Sequence, residues 1–338
     1  MKPVLIVGGS GFVGAQAART LRTLQPELPI AIGGRNLSRA RAVAEVLGGA
    51  TAYPVELAQE GLGLDAEQRF SALVLFAKDE RLTALRYALQ HGIPYIDISS
   101  APFEIAPIVA FALQQPDRSA VLLASHWLAG TSTLATLEFA RDFERLERVE
   151  IGVVLDEQDV GGPAAFADFE RFTSATTSSL ILDDSRHRWL SNAEAERDFT
   201  SVDGSTLRGR SYPLLDVQSL AAATSARSVR LDLFVGESAG RRAGKHFSTE
   251  MIIELFGRDK QGRPARARYE LSHPEGQAPV TALAVATAVE ALVGLSGSEP
   301  ARPGLYTPDR LIQPAAFLAR LTRFGVQLKR GAVEEVRP

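Results

Sequence analysis

Val4-Leu5-Ile6-Val7-Gly8-Gly9-Ser10-Gly11-Phe12-Val13-Gly14 is the stretch that decides the fold of this 338-residue chain. The apolar run Val4 to Val7 reads as a buried strand. Gly9, Gly11 and Gly14 then form G-x-G-x-x-G, and Gly8 adds an overlapping G-x-x-G-x-x-G. The hexapeptide alone is weak evidence, but where it closes a strand and opens a helix it predicts a dinucleotide-binding βαβ unit. Gly9 is expected to permit the tight turn, Gly11 to let backbone approach a pyrophosphate, and Gly14 to let the helix lie close to the strand. A diphosphate is expected on the free N–H groups at the helix start, where the macrodipole is positive, with Gly8, Gly9, Ser10, Gly11, Phe12, Val13 and Gly14 as the cofactor-binding stretch. The alternative is a glycine turn with no ligand.

The next strand ends Ile32-Gly33-Gly34-Arg35-Asn36. NAD-selective domains carry an Asp or Glu here that accepts from the adenine ribose 2′-hydroxyl, and this chain has neither. Arg35, with Asn36, Ser38 and Arg39 at the following helix start, offers charge and donors suited to a 2′-phosphate. The sequence therefore predicts NADP as cofactor, bound at least about tenfold more tightly than NAD. A solvated arginine after a turn is the plainer reading.

Working outward, short apolar runs alternate with amphipathic segments as far as Ala124, as in a parallel sheet covered by helices on both faces. Strands are expected near Val4–Val7, Ile30–Gly33, Thr51–Val55, Ala72–Phe76, Tyr95–Ile98 and Ala120–Ala124. Helices are expected over Phe12–Leu24, Ser38–Leu47, Arg81–His91 and Phe103–Gln114. Beyond Ser125 the texture changes. A helix at Thr131–Phe143 and a strand at Val149–Leu155 are followed by Ser/Thr/Arg-rich stretches. Ser228–Val235, Thr249–Phe256 and Ala265–Leu271 then read as strands of a sheet with one wet face. The fold class is α/β: a Rossmann doubly wound parallel sheet over 1–125, a second α+β domain on a mixed or antiparallel sheet over 126–278, and a segment 279–338 returning to the Rossmann domain.

Apolar residues make up 45% of the chain and charged residues 23%, an ordinary globular composition. A net charge of −3 gives no electrostatic reason to expect nucleic acid or an anionic membrane as partner. A small-molecule substrate is the expected partner. There is no cysteine, so disulfides, thiolate nucleophiles and Cys-ligated metals are excluded, and a cytoplasmic setting is the simplest expectation. No run approaches the roughly 18 apolar residues of a membrane span. The N-terminal apolar run is too short for a signal segment and leads straight into glycines. The histidines are dispersed with no zinc-type spacing, so no metal is expected.

In an open parallel sheet, ligands lie beyond the carboxyl ends of the strands, so catalytic groups are sought there. Lys78 follows the fourth strand, directly after Phe76 and Ala77, where a nicotinamide would lie. A lysine freed of water beside that ring is suited to deliver a proton to a reduced nitrogen or oxygen. A lysine that merely ends a strand fits as well. Asp97 and Ser99 follow the fifth strand, with Asp97 better suited to bonding nearby N–H groups than to acting as a base. His126, after the sixth strand, is a candidate general acid or a hydrogen-bonded structural histidine. Gly240-Arg241-Arg242-Ala243-Gly244-Lys245-His246 echoes a phosphate loop but lacks its glycine spacing, and reads as a hairpin loop. No tyrosine has a lysine four residues later, which argues against short-chain dehydrogenases.

With these residues in view, the chain resembles the saccharopine dehydrogenase-like family of NAD(P)-dependent oxidoreductases. The resemblance rests on residues 7–14, on Gly33-Gly34-Arg35-Asn36, and on Ala88-Leu89-Gln90-His91-Gly92-Ile93-Pro94-Tyr95-Ile96-Asp97-Ile98-Ser99. Trp127-Leu128-Ala129-Gly130-Thr131-Ser132-Thr133-Leu134 is a looser echo of a proline–glycine helix start, and Gly304-Leu305-Tyr306-Thr307-Pro308 also fits. The resemblance implies hydride transfer at a C–N bond of an amino acid or imine, a middle domain that supplies substrate contacts, and a homodimer. Ala129-Gly130 and Lys78-Asp79 depart from the family pattern, which leaves the substrate open. The residues alone leave two further readings open: an NADP-dependent carbonyl reductase, and an NADP-binding sensor without turnover.

Overall fold

A computed structural model describes residues 1–159, 161–176, 178–295 and 297–336. In chain order the elements of the first part are β1 (Val4–Val7), α1 (Phe12–Leu24), β2 (Ile30–Gly34), α2 (Leu37–Leu47), β3 (Ala50–Pro54), β4 (Ala72–Leu75), α3 (Thr83–His91), β5 (Tyr95–Asp97), α4 (Ile105–Gln114) and β6 (Ala120–Leu123). Then come α5 (Thr131–Ala140), β7 (Phe143–Asp156), α6 (Pro163–Ser174), β8 (Ser179–Asp183), β9 (Arg186–Leu190), β10 (Glu196–Thr200), β11 (Thr206–Ser211), α7 (Asp216–Ala223) and β12 (Ser228–Gly236). The rest comprises α8 (Ala239–Arg242), β13 (Thr249–Asp259), β14 (Pro264–His273), α9 (Gln277–Val293), β15 (Gly304–Tyr306), α10 (Pro308–Leu311), α11 (Pro314–Arg323), β16 (Gln327–Arg330) and β17 (Glu334–Glu335).

The chain divides into two compact units. The first holds Met1–Ser125, Gly161–Asp168 and Thr281–Ile312. Its sheet has the order β15-β6-β5-β4-β1-β2-β3, every neighbouring pair parallel. β1, β4 and β6 are buried throughout, as strands covered on both faces must be. The order turns back between β1 and β4, which marks the switch point of a doubly wound sheet. The seventh strand, β15, comes from near the other end of the chain: Gly304–Tyr306 pairs in parallel with Ala120–Leu122. Its three residues carry too little pattern to read as a strand alone.

The second unit holds His126–Val160, Phe169–Val280 and Gln313–Pro338. Its sheet runs β10-β11-β12-β7-β13-β14-β16 and is mixed, with β12 parallel to β7 and the other neighbours on this path antiparallel. The last segment of the chain, expected to return whole to the Rossmann unit, splits instead. Thr281–Ile312 groups with the first unit, whereas α11 and β16 belong to the second, where β16 extends the sheet beside β14.

β7 begins six residues before the strand read from the sequence, at Phe143 rather than Val149. Register shifts against β13 at Gly257 and Asp259 explain the mismatch. Each bulge offsets the pleat, so Phe143, Leu146 and Val149 are buried at a spacing of three, which mimics a helix. Gly257 permits the kink, because a Cβ there would stand 2.1 Å from the Arg145 carbonyl oxygen. The arginine-rich stretches form charge ladders on this sheet: Arg197 joins Glu150 at 2.9 Å and Asp232 at 2.7 Å, and Arg230 also meets Asp232.

Candidate functional site

The glycine loop is built so that side chains would not fit. Gly9 N–H donates to the Ile6 carbonyl at 3.1 Å, closing a turn whose left-handed residue is Gly8 (φ +81). The sequence reading gave the turn to Gly9; the backbone assigns its conformational demand to Gly8, and Gly9 is needed because its Cβ would meet the Ile6 oxygen at 2.8 Å. A Cβ on Gly14 would stand 2.4 Å from the Gly8 oxygen, so α1 lies against the loop as closely as backbone allows. Within residues 8–14 three N–H groups turn inward. Gly8 donates to Gly33, Gly9 to Ile6 and Gly11 to Gly8, at 2.9, 3.1 and 2.9 Å. The first turn of α1 remains: Phe12, Val13 and Gly14 have N–H groups that helix geometry leaves without an intrahelical acceptor. A loop packed backbone to backbone, ahead of first-turn N–H groups with no intrahelical acceptor, fits a dinucleotide diphosphate.

The other strand ends of the parallel sheet open on the same edge. A Cβ on Gly34 would lie 3.4 Å from Ser10 Oγ, so the end of β2 sits beside the loop. Arg35, one residue on, is exposed and makes no ion pair among the described residues. Arg39 and Ser38 are exposed too, while Asn36 is engaged, its Oδ1 capping α2 by accepting from Arg39 N–H at 3.0 Å. Phe76 presses on Gly8 from the end of β4, its N–H bonded to Val7 at 2.9 Å, and Ala77 and Lys78 follow.

The catalytic candidates are all occupied by partners. Lys78 Nζ lies 2.9 Å from Glu104 Oε2, and that carboxylate also accepts from Ala101 N–H at 2.8 Å. The ammonium is thus held by a carboxylate rather than stripped of partners, which departs from the desolvated lysine expected from the sequence. Asp97, buried at the end of β5, accepts from Ser99 N–H (2.9 Å), Ser100 N–H (3.1 Å) and Ser100 Oγ (2.7 Å). Burial pushes its carboxyl up, and those bonds together with the Lys78 charge oppose the shift. Its oxygens shape the exit from β5. Ser99 Oγ donates to Asp168 Oδ2 at 2.7 Å.

His126 belongs to the second unit, whereas Lys78, Asp97 and Ser99 belong to the first. Its Nε2 lies 2.8 Å from Ser219 Oγ on α7, and the ring is buried. Beside it, Asp216 is wholly buried and accepts from Trp127 N–H (2.8 Å), Thr133 Oγ1 (2.8 Å) and Ser132 Oγ. Leu128, Ala129 and Gly130 turn left-handed in succession, with φ of +50, +54 and +105. Proline cannot adopt φ +54, so Ala129 marks a change of backbone path from a proline–glycine start, not a change of side chain alone.

Sequence reasoning missed Glu104, Asp168, Ser219 and Asp216. Glu104 alone left a local signal, an acid at the third position after the residue that opens a helical turn; the others are partners brought in by tertiary folding. The Gly240–His246 segment is not an open phosphate loop. Arg241 pairs with Asp156 at 2.9 Å and Glu157 at 3.0 Å, and Arg242 with Asp203 at 2.7 Å. Among the described residues no group of His, Asp and Glu is arranged to hold a metal, and no helix is long and apolar enough to cross a membrane.

No protein-family model matches this chain, and no curated protein matches it by sequence. Solved structures do. Apo saccharopine dehydrogenase (L-Glu forming) from Saccharomyces cerevisiae is similar in structure with a TM-score of 0.70 at 12% identity, covering 98% of this chain and 100% of that one. An oxidoreductase from Agrobacterium radiobacter in complex with NAD+, L-tartaric acid and magnesium has a TM-score of 0.50 at 12% identity, covering 97% and 98%. The chain therefore has the two-unit fold of saccharopine dehydrogenase, matching the resemblance read from its motifs at the level of fold.

Proposed function

We propose that the protein is an NADP-dependent oxidoreductase that transfers hydride at a C–N bond of an amino acid or imine. The observation that carries this reading is the glycine-packed turn between β1 and α1, beside a β2 end where Arg35 stands exposed in place of an acid. A bound nicotinamide coenzyme supplies or accepts the hydride. The first turn of α1 holds the diphosphate, Arg35 with Ser38 and Arg39 holds a 2′-phosphate, and Phe76 and Ala77 wall the strand end where the ring would lie. The likeness to saccharopine dehydrogenase supports C–N chemistry, and the same resemblance makes a homodimer the expected assembly. The Agrobacterium neighbour was solved with NAD+, so preference for NADP rests on Arg35 with Ser38 and Arg39 and on the missing acid.

A panel of amino acids and of oxo-acid plus amine pairs, scored by absorbance of NADPH, tests the proposal. Turnover confined to amino-acid or imine substrates supports it; turnover of plain carbonyls would replace it with a ketone or aldehyde reductase. Lys78 and Asp97 are both tied to protein partners, which favours a second reading, an NADP-binding protein without turnover. That reading predicts coenzyme uptake with no consumption across the panel.

A further inference from the structure

Gly161–Asp168 comes from far along the chain yet groups with the nucleotide-type unit. It is tied there at two points. At one end Gly162 is left-handed (φ +92), and a Cβ on it would stand 3.3 Å from Phe12 Cβ, at the first residue of α1. At the other, Asp168 Oδ2 accepts from Ser99 Oγ at 2.7 Å, and Ser99 is itself buried just beyond β5. The sheet order puts β4 between β1 and β5, so these anchors lie on either side of the switch point. Strands two places apart are separated by about 10 Å. The helical stretch from Pro163 to Asp168 rises about 7.5 Å, and Gly162 before it and the Asp168 side chain after it supply the remaining reach from one anchor to the other. Both the loop and the arm carry an exposed phenylalanine, Phe12 and Phe166.

We propose that the arm Gly161–Asp168 is a clasp across the coenzyme crevice, anchored at Phe12 and latched by the Ser99–Asp168 hydrogen bond, so that the dinucleotide leaves only when the latch opens. The inference rests on the coenzyme reading above. Asp168 acts as a positioning residue, holding the arm rather than touching the reacting atoms. Gly161 and Gly162, both left-handed (φ +56 and +92), set the turn that leads the chain into the arm beside Phe12.

The test is release of NADPH, followed by its fluorescence in stopped flow while excess NADP+ prevents rebinding. It is run on the native chain, Ser99→Ala, Asp168→Ala and the double variant. Loss of a charge-assisted hydrogen bond predicts release about tenfold faster in each single variant, and no faster in the double, because both remove the same latch. Asp168→Asn, whose amide oxygen still accepts from Ser99, keeps a release rate close to native. Adenosine 2′,5′-bisphosphate, which fills only the adenine half, binds Asp168→Ala with native affinity. Release rates within about twofold of native in both alanine variants overturn the clasp and leave the coenzyme reading standing, as do single effects that multiply in the double. A native chain that takes up no dinucleotide overturns both.

Discussion

Two helix starts in this molecule are furnished in opposite ways. At the head of α1 the glycines let loop and helix pack backbone to backbone, and the first-turn N–H groups have no intrahelical acceptor. At the head of α5 the protein supplies its own anion: Asp216, wholly buried, accepts from Trp127 N–H and from the Ser132 and Thr133 hydroxyls of the first turn. The head of α9 stands between them. Asp159 Oδ2 accepts from Gln277 N–H at 2.7 Å, but burial, with Asp156 nearby, pushes its carboxyl up to about 6 despite that bond. The helix start packed by glycines is the one proposed to take the coenzyme, whereas the one set against a buried carboxylate serves as scaffold.

The contrast breaks most visibly at Asp216. Asp216→Ala leaves three buried donors without an acceptor and is expected to destabilise the second unit by about 3–5 kcal/mol, read from urea unfolding, with coenzyme affinity of the folded protein unchanged. An effect under about 1 kcal/mol would mean that α5 does not need its anion.

At Asp159 the sign of the pH dependence is the test. Its folded value lies above that of an unfolded carboxyl, so its contribution to stability is full below about pH 4 and lost as pH rises through about 6. The change is up to about 3 kcal/mol. Asp159→Asn, which still accepts from Gln277 N–H, is expected to flatten thermal stability between pH 4 and 7 and to raise it at pH 7. A variant that melts lower than native at pH 7 would show that the charge itself is wanted there.

Gly14→Val sharpens the other side of the comparison. Its side chain needs space held by the Gly8 carbonyl, so α1 must shift off the loop, and coenzyme affinity is expected to fall about a hundredfold. Calorimetry checks this beside a circular dichroism melt; a folded variant that binds like native would remove the cradle from the account.

The first unit was largely legible in the sequence because parallel strands buried on both faces are continuously apolar, and because the cradle demands glycines at fixed spacing. Val4–Val7, the start of α1 at Phe12 and the turn at Arg35 all follow from those constraints. β15 was not legible, since three residues carry no period, and neither was the early start of β7, where bulges give Phe143, Leu146 and Val149 a helical spacing. The candidate site divides the same way. Backbone demands at 8–14 show in the residue types, whereas the partners that tie down Lys78, Ser99 and His126 are made by folding, from Glu104, Asp168 and Ser219.

The most direct test of the central claim is a calorimetric titration of NADPH and NADH into the native chain and into Arg35→Ala. The account predicts that native protein prefers NADPH by at least about tenfold and that the variant binds the two alike, having lost affinity only for NADPH. Equal affinities in the native chain, or no uptake of either coenzyme, would contradict it.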